Sequence, residues 1–185
     1  SVEYAGVTAF GRGRVVDVGT GSGAIALALA AEGAFDEVHA IDRSAEALAV
    51  AQANLAAIPE DRRDRLRWHE GDLLAPVMDQ RVDVVVSNPP YISLSEASAL
   101  PVLVRDWEPH LALFAADDGM ALIRALVPQA AEVLVPGGLL AMEIDARRAT
   151  LAREAVEGDP RFAAVEVRMD LTGRPRFVVA RRQER

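Results

Sequence analysis

The chain has no cysteine, few aromatic residues, no basic excess and no long apolar run. Without cysteine there are no disulfide frameworks, thiolate zinc sites or cysteine nucleophiles, and the composition fits a cytoplasmic protein. Aromatics make up 5% of the residues against 51% hydrophobic. The core therefore falls to Val, Leu, Ile and Ala, which suits helices packed on a parallel sheet buried on both faces. The net charge of -8 weighs against a protein that grips nucleic acid through phosphates, since that needs a basic face. The basic residues Arg181, Arg182 and Arg185 read as a solvated tail. The longest uncharged apolar stretch, between Asp17 and Glu32, is too short to span a bilayer and is broken by glycines. The N-terminus lacks the basic-then-apolar layout of a signal peptide. At 185 residues the chain is most simply one domain, long enough to bury a core unaided.

Strand and helix patterns alternate. Strands are expected at Arg14 to Val18, Glu37 to Ile41, Leu66 to His69, Val82 to Ser87 and Leu139 to Ile144. Helices are expected at Ala24 to Ala31, from a Ser44 cap to about Ala56, Met120 to Leu134 (ended by Pro136, Gly137 and Gly138), and Ala149 to Glu157. Pro59 to Asp64 reads as a charged loop, and a long, partly helical loop runs from Ile92 to Asp117. Ala164 to Met169 and Arg176 to Ala180 close the chain as two strands around a Thr172 to Pro175 turn. The alternation predicts a doubly wound α/β fold with a mostly parallel, seven-stranded sheet and an antiparallel C-terminal edge hairpin.

Four motifs fall at the carboxyl ends of strands, where open α/β sheets bind ligands. The first is Val16-Asp17-Val18-Gly19-Thr20-Gly21-Ser22-Gly23, a tight strand-to-helix turn. Alone it is ambiguous, because Gly19, Gly21 and Ala24 also satisfy the relaxed dinucleotide fingerprint. The second is Asp42, followed by Arg43 and Ser44, an acid able to accept from both hydroxyls of a ribose. The third is Gly71-Asp72-Leu73, where a carboxylate can accept from an adenine amino group and a backbone amide can meet a ring nitrogen.

The fourth, Asn88-Pro89-Pro90-Tyr91, carries the most chemistry. An amide or conjugated amine nitrogen is a poor nucleophile, because its lone pair is delocalised. The Asn88 side-chain oxygen can accept one N–H and the Pro89 carbonyl another, while Tyr91 lies against the planar group. Two acceptors on one NH₂ favour a pyramidal nitrogen and stabilise its growing positive charge.

These residues resemble the class I methyltransferases, and more narrowly the HemK/PrmC-type glutamine-N5 methyltransferases that modify peptide-chain release factors. The resemblance also rests on Glu108-Pro109, Leu113, Asp118-Gly119, Asp170, Gly173 and Arg176. It implies a Rossmann-like fold and S-adenosyl-L-methionine as cofactor, held by Asp17, Gly19, Thr20, Gly21, Gly23, Asp42, Arg43, Asp72, Leu73 and Asn88. It also implies a catalytic set of Asn88, Pro89, Pro90 and Tyr91, with Asp17 toward the cationic methionine end. A release-factor-like protein with a glutamine-bearing loop follows as substrate, and a monomeric, cytoplasmic enzyme as its user.

The chain departs from that family in two places. No Pro-Arg-x-Glu-Thr segment stands before Arg14, and Asp145 and Arg148 replace the Gly and Gln of Glu-x-Gly-x-x-Gln. Residues 1–185 are expected to form one catalytic domain, with no room for the family's N-terminal helical domain; Ser1 in place of methionine points to sequence upstream.

Three other readings compete: an N6-adenine or amino methyltransferase acting on DNA or RNA, a non-catalytic cofactor-binding domain, and an NAD-dependent oxidoreductase. The last leaves Asn88 to Tyr91 without a task. His39, His69 and His110 lack carboxylates at ligand spacing, so no metal is expected. Trp68 reads as a packing residue, whereas Trp107 has the better claim to line a substrate entrance. Ser22 and Ser87 have no histidine–acid partners, so hydrolase chemistry finds no support.

Overall fold

The computed structural model describes residues 13–89 and 120–184, together with the backbone of two short strands at 92–93 and 114–115. The strands are β1 (Arg14–Val18), β2 (Glu37–Asp42), β3 (Leu66–Glu70), β4 (Val82–Ser87), β5 (Ile92–Ser93), β6 (Phe114–Ala115), β7 (Leu134–Glu143), β8 (Phe162–Met169) and β9 (Pro175–Arg182). The helices are α1 (Ala24–Glu32), α2 (Ala45–Ala53), α3 (Glu60–Arg63), α4 (Ala121–Val133) and α5 (Ala149–Glu157).

Seven strands form one sheet in the order β3-β2-β1-β4-β7-β9-β8. β1 to β4 and β7 run parallel, and β9 is antiparallel to both β7 and β8. The expected fold and the antiparallel edge hairpin are both observed. Valine-rich β1 and β4 lie at the centre, buried on both faces, and separate two apolar clusters. One gathers Val15, Val84 and Val86 with α1; the other gathers Val16 and Val85 with α4 and α5. Trp68 packs against the first as expected. No helix among the described residues is long and apolar enough to cross a membrane.

Some boundaries differ from the sequence reading, each for a local reason. The charged loop at Pro59 to Asp64 contains a single helical turn, with Glu60 and Asp61 at its start and Arg62 and Arg63 at its end, as the helix dipole favours. α2 stops at Ala53 and tightens into a 3-10 turn over Asn54–Ala57. Pro136, Gly137 and Gly138 do not end the helix before a separate strand; they lie inside β7, where the pairing with β4 shifts between Val82 and Val84. A Cβ on Gly138 would stand 2.8 Å from the Val135 carbonyl and 3.1 Å from that of Asp83. β8 begins two residues early, because a register shift after Ala163, with Ala164 at φ 50°, lets Phe162 pair with Arg182.

His39 on β2 and His69 on β3 stack, with Nδ1 of the first 3.0 Å from Nε2 of the second. Burial lowers both pKa values, and each histidine also feels nearby positive charge. The unfolded chain then binds more protons just below the ordinary histidine pKa, so stability is lost there as the pH is lowered. We expect the urea midpoint to drop between about pH 7 and about pH 6, and His39→Phe to flatten that slope. An unchanged slope in the variant would place the acid sensitivity elsewhere.

Candidate active site

The chain reverses its winding between β1 and β4, and the loops leaving those strands open a crevice at their carboxyl ends. Register sets the site residues in a row. Val18 pairs with Ile41 and with Ser87, so Gly19 continues beside Asp42 on one side and Asn88 on the other. Ser87 locks this arrangement, its buried hydroxyl donating to the Val18 carbonyl at 2.8 Å.

The glycine turn satisfies its own backbone. Gly19 and Thr20 N–H both donate to the Ile41 carbonyl at 2.9 Å, Gly23 N–H to the Thr20 carbonyl at 2.8 Å, and Gly21 N–H to Asp42 Oδ2 at 2.9 Å. The glycines divide by task. A Cβ on Gly19 or Gly21, at φ 72° and 55°, would meet nothing within 4 Å, whereas one on Gly23 would stand 2.9 Å from the Ala51 Cβ. Two glycines therefore face space for a ligand, and the third lets α1 pack on α2. We expect Gly23→Ala to cost about 1–3 kcal/mol of stability through overpacking. Gly21→Ala, by contrast, should leave a folded chain that has lost donor affinity. Thermal melts beside calorimetric titrations separate the two effects.

Asp17 lies beneath this turn, 1% exposed, rather than in the open crevice. Its Oδ2 accepts from Thr20 Oγ1 at 2.7 Å and from Ala26 N–H at 3.1 Å, tying the turn to the start of α1. Its Oδ1 is buried without a hydrogen-bond partner among the described residues. Burial, with the nearby charge of Asp42 adding to it, pushes this carboxyl up to about 6. A carboxylate at a helix N-terminus takes up the dipole that would otherwise attract an anion. The turn's committed N–H groups and this acid disfavour a pyrophosphate and suit a cation. The residues thus fit a cofactor with an uncharged ribose and a cationic end.

Asp42 spends one lone pair per oxygen, on Gly21 and on Ser44 N–H at 2.9 Å, leaving each oxygen a further acceptor site for a ribose hydroxyl. Arg43 is exposed beside it. Gly71 N–H donates to the Asp42 carbonyl at 3.0 Å, which joins the third motif to the second. Asp72 is exposed, and Leu73 is held at φ 48° while Leu74 N–H donates to Gln129 Oε1 at 3.0 Å. Such backbone strain marks a loop whose shape is imposed by its surroundings.

At the end of β4, Asn88 is exposed and Pro89 buried. Pro90, Tyr91, Trp107, Glu108, Pro109, His110, Leu113, Asp118 and Gly119 lie outside the described residues or carry no described side chain. The sequence reading missed two supports of the site. One is the Ser87 hydroxyl, whose polarity inside a valine run was the available signal. The other is the ion pairing of Arg176 with Glu143 and Asp170, at 3.5 and 3.7 Å; the sequence named Arg176 and Asp170 through the resemblance, but not their meeting with Glu143.

A sheet of this order, with an acid-bearing glycine turn and a second acid ending the next strand, defines an α/β domain of the methyltransferase class. The chain belongs to the methyltransferase small domain family, whose model matches residues 7–106. It is 46% identical over 172 residues to a release factor glutamine methyltransferase of Deinococcus radiodurans, covering 91% of this chain and 58% of the relative. A second release factor glutamine methyltransferase, from Koribacter versatilis, is 42% identical over 172 residues, covering 92% and 59%. The chain thus spans a little under three fifths of the curated relatives it matches. Among solved structures, a putative rRNA-methylase from Clostridium thermocellum has a TM-score of 0.68 at 18% identity, covering 97% of this chain and 95% of that one. At that identity the likeness is one of fold.

Proposed function

We propose that this chain is the catalytic domain of an S-adenosylmethionine-dependent methyltransferase that modifies a glutamine side-chain amide in a peptide-chain release factor. The observation that carries the reading is that Ile41, Val18 and Ser87 pair side by side on three adjacent strands; the residues that follow them, Asp42, Gly19 and Asn88, would bring together a ribose acceptor, an open glycine turn and an exposed amide. The relatives' names supply the substrate class.

When bound, adenosylmethionine supplies a methyl group on a sulfonium. Asp42 would hold its ribose, Asp72 and the Leu73 backbone its adenine, and Asp17 would balance the charge of its methionine end. Asn88 Oδ1 and the Pro89 carbonyl accept the two N–H groups of the glutamine amide and hold its nitrogen toward the methyl. Orientation of this kind is worth roughly 7–11 kcal/mol where it is complete. Tyr91 would bound the planar group, and no base is required before transfer, since the proton leaves afterwards. We read residues 1–185 as one such domain, acting as a monomer in a cytoplasmic setting, in keeping with a chain free of cysteine.

The test is twofold. Calorimetry should show binding of adenosylmethionine and its demethylated product but not NAD. Mass spectrometry should then find a single methyl group on the glutamine of a release-factor substrate. Methylation of an oligonucleotide instead, or binding of NAD, would sink the reading.

A further inference from the structure

β4 and β7 keep an unbroken parallel register from Val84↔Leu139 to Ser87↔Met142. Continued by one residue, it sets Asn88 beside Glu143 on strands about 4.8 Å apart. Side chains alternate along a strand, so Asn88 shares its face with Val84 and Val86, and Glu143 shares its face with Leu139 and Ala141. Those four residues lie in one apolar cluster, so Asn88 and Glu143 share a face of the sheet. On its other flank Asn88 has Gly19, which offers no side chain. Glu143 is therefore the side chain that the sheet itself places next to the candidate catalytic amide.

Glu143 is held from behind. Arg176 Nη1 stands 3.5 Å from Glu143 Oε1, and Arg176 Nε stands 3.7 Å from Asp170 Oδ2. Ile144 N–H donates to the Arg176 carbonyl at 2.8 Å. Asp170 in turn closes the β8–β9 turn, accepting from Thr172 N–H at 2.8 Å, Thr172 Oγ1 at 2.6 Å and Arg174 N–H at 3.0 Å. Gly173 permits that turn with φ 78°. A hairpin at the sheet edge thus braces Glu143 through its Oε1, by way of Arg176 and Asp170.

An asparagine can present either its oxygen or its NH₂, whereas an ionised carboxylate only accepts. We propose that Glu143 is a positioning residue that takes the Asn88 NH₂ and so turns the Asn88 oxygen toward the N–H of the methyl acceptor. The proposal rests on the N-methyltransferase reading and gives Asp170, Gly173 and Arg176 a common task in that site.

Glu143→Gln tests it, because the replacement keeps the shape. Arg176 only donates, so it draws the glutamine carbonyl to itself and turns the glutamine NH₂ toward Asn88. That reverses the Asn88 amide. We expect kcat for glutamine methylation to fall about 100-fold, with donor affinity unchanged, and Glu143→Ala, which leaves Asn88 free to rotate, to fall less. A merely structural glutamate predicts the opposite order, with Gln benign and Ala worst, and that order would overturn the proposal.

A second readout needs no acceptor. In ¹⁵N-labelled chain, the Asn88 NH₂ signals, assigned by their loss in Asn88→Asp, should shift as the pH is lowered and Glu143 takes up its proton, and the shift should vanish in Glu143→Gln. Burial raises the Glu143 pKa, with Arg176 opposing it, which brings the titration into reach. Asn88 signals that ignore both pH and the variant refute the proposal. A wild-type chain that shows the shift but methylates no glutamine refutes only the substrate reading.

Discussion

Replacing Asn88 with alanine is expected to cut methyl transfer by about 10²–10³ in kcat, the loss typical of removing one preorganised hydrogen-bond partner from a polar transition state. Binding of the methyl donor should change little. Asn88 is exposed just after β4, while the candidate ribose acceptor Asp42 lies on β2 and the open turn at Gly19 and Gly21 follows β1. The fold should survive too, since Ser87, not Asn88, anchors the end of β4 to Val18. Single-turnover transfer to a release-factor glutamine, set beside calorimetric donor affinity, separates the two effects. Equal losses in affinity and turnover would make Asn88 a cofactor-binding residue, not part of the acceptor cage.

Donor binding is expected to weaken in acid because of Asp17. Its carboxyl is raised to about 6 by burial, so the free protein carries the proton below that pH. The native state then binds more protons than the unfolded chain between the ordinary aspartate value of 3.8 and about 6. This group therefore favours folding as pH falls through that window and disfavours it as pH rises. A cationic ligand favours the ionised form, so binding should expel the proton, and affinity should fall about tenfold per unit well below pH 6. Calorimetry in buffers of different ionisation heats would register the proton released. In Asp17→Asn the pH dependence should disappear and affinity at neutral pH should drop. Donor affinity flat across acid pH in the wild type would mean that the carboxylate serves only to tie Thr20 and Ala26.

Much of the fold could be read from residue order. The valine runs of β1 and β4, the glycines after Asp17 and the short Thr172 to Pro175 turn each act locally, through burial, φ freedom or chain reversal. The Pro136 to Gly138 segment misled for an equally local reason. Its composition signals a break, but the partner strand β4 absorbs the irregularity as a register shift. Glu143 and Arg176 carried no periodic signal, because their meeting depends on β9 lying between β7 and β8.

By itself the sequence determined which residues stand at strand ends and that an Asn-Pro-Pro-Tyr segment follows β4, since side-chain type and strand–turn–helix order are local properties. It left the glycine turn ambiguous between a pyrophosphate and a sulfonium cofactor. Only the tertiary structure decided that the turn spends its N–H groups internally and that Asp17 is buried beneath it. It alone set Ile41, Val18, Ser87 and Met142, the residues just before Asp42, Gly19, Asn88 and Glu143, side by side, because strand order and register, not sequence distance, determine which strand ends are neighbours.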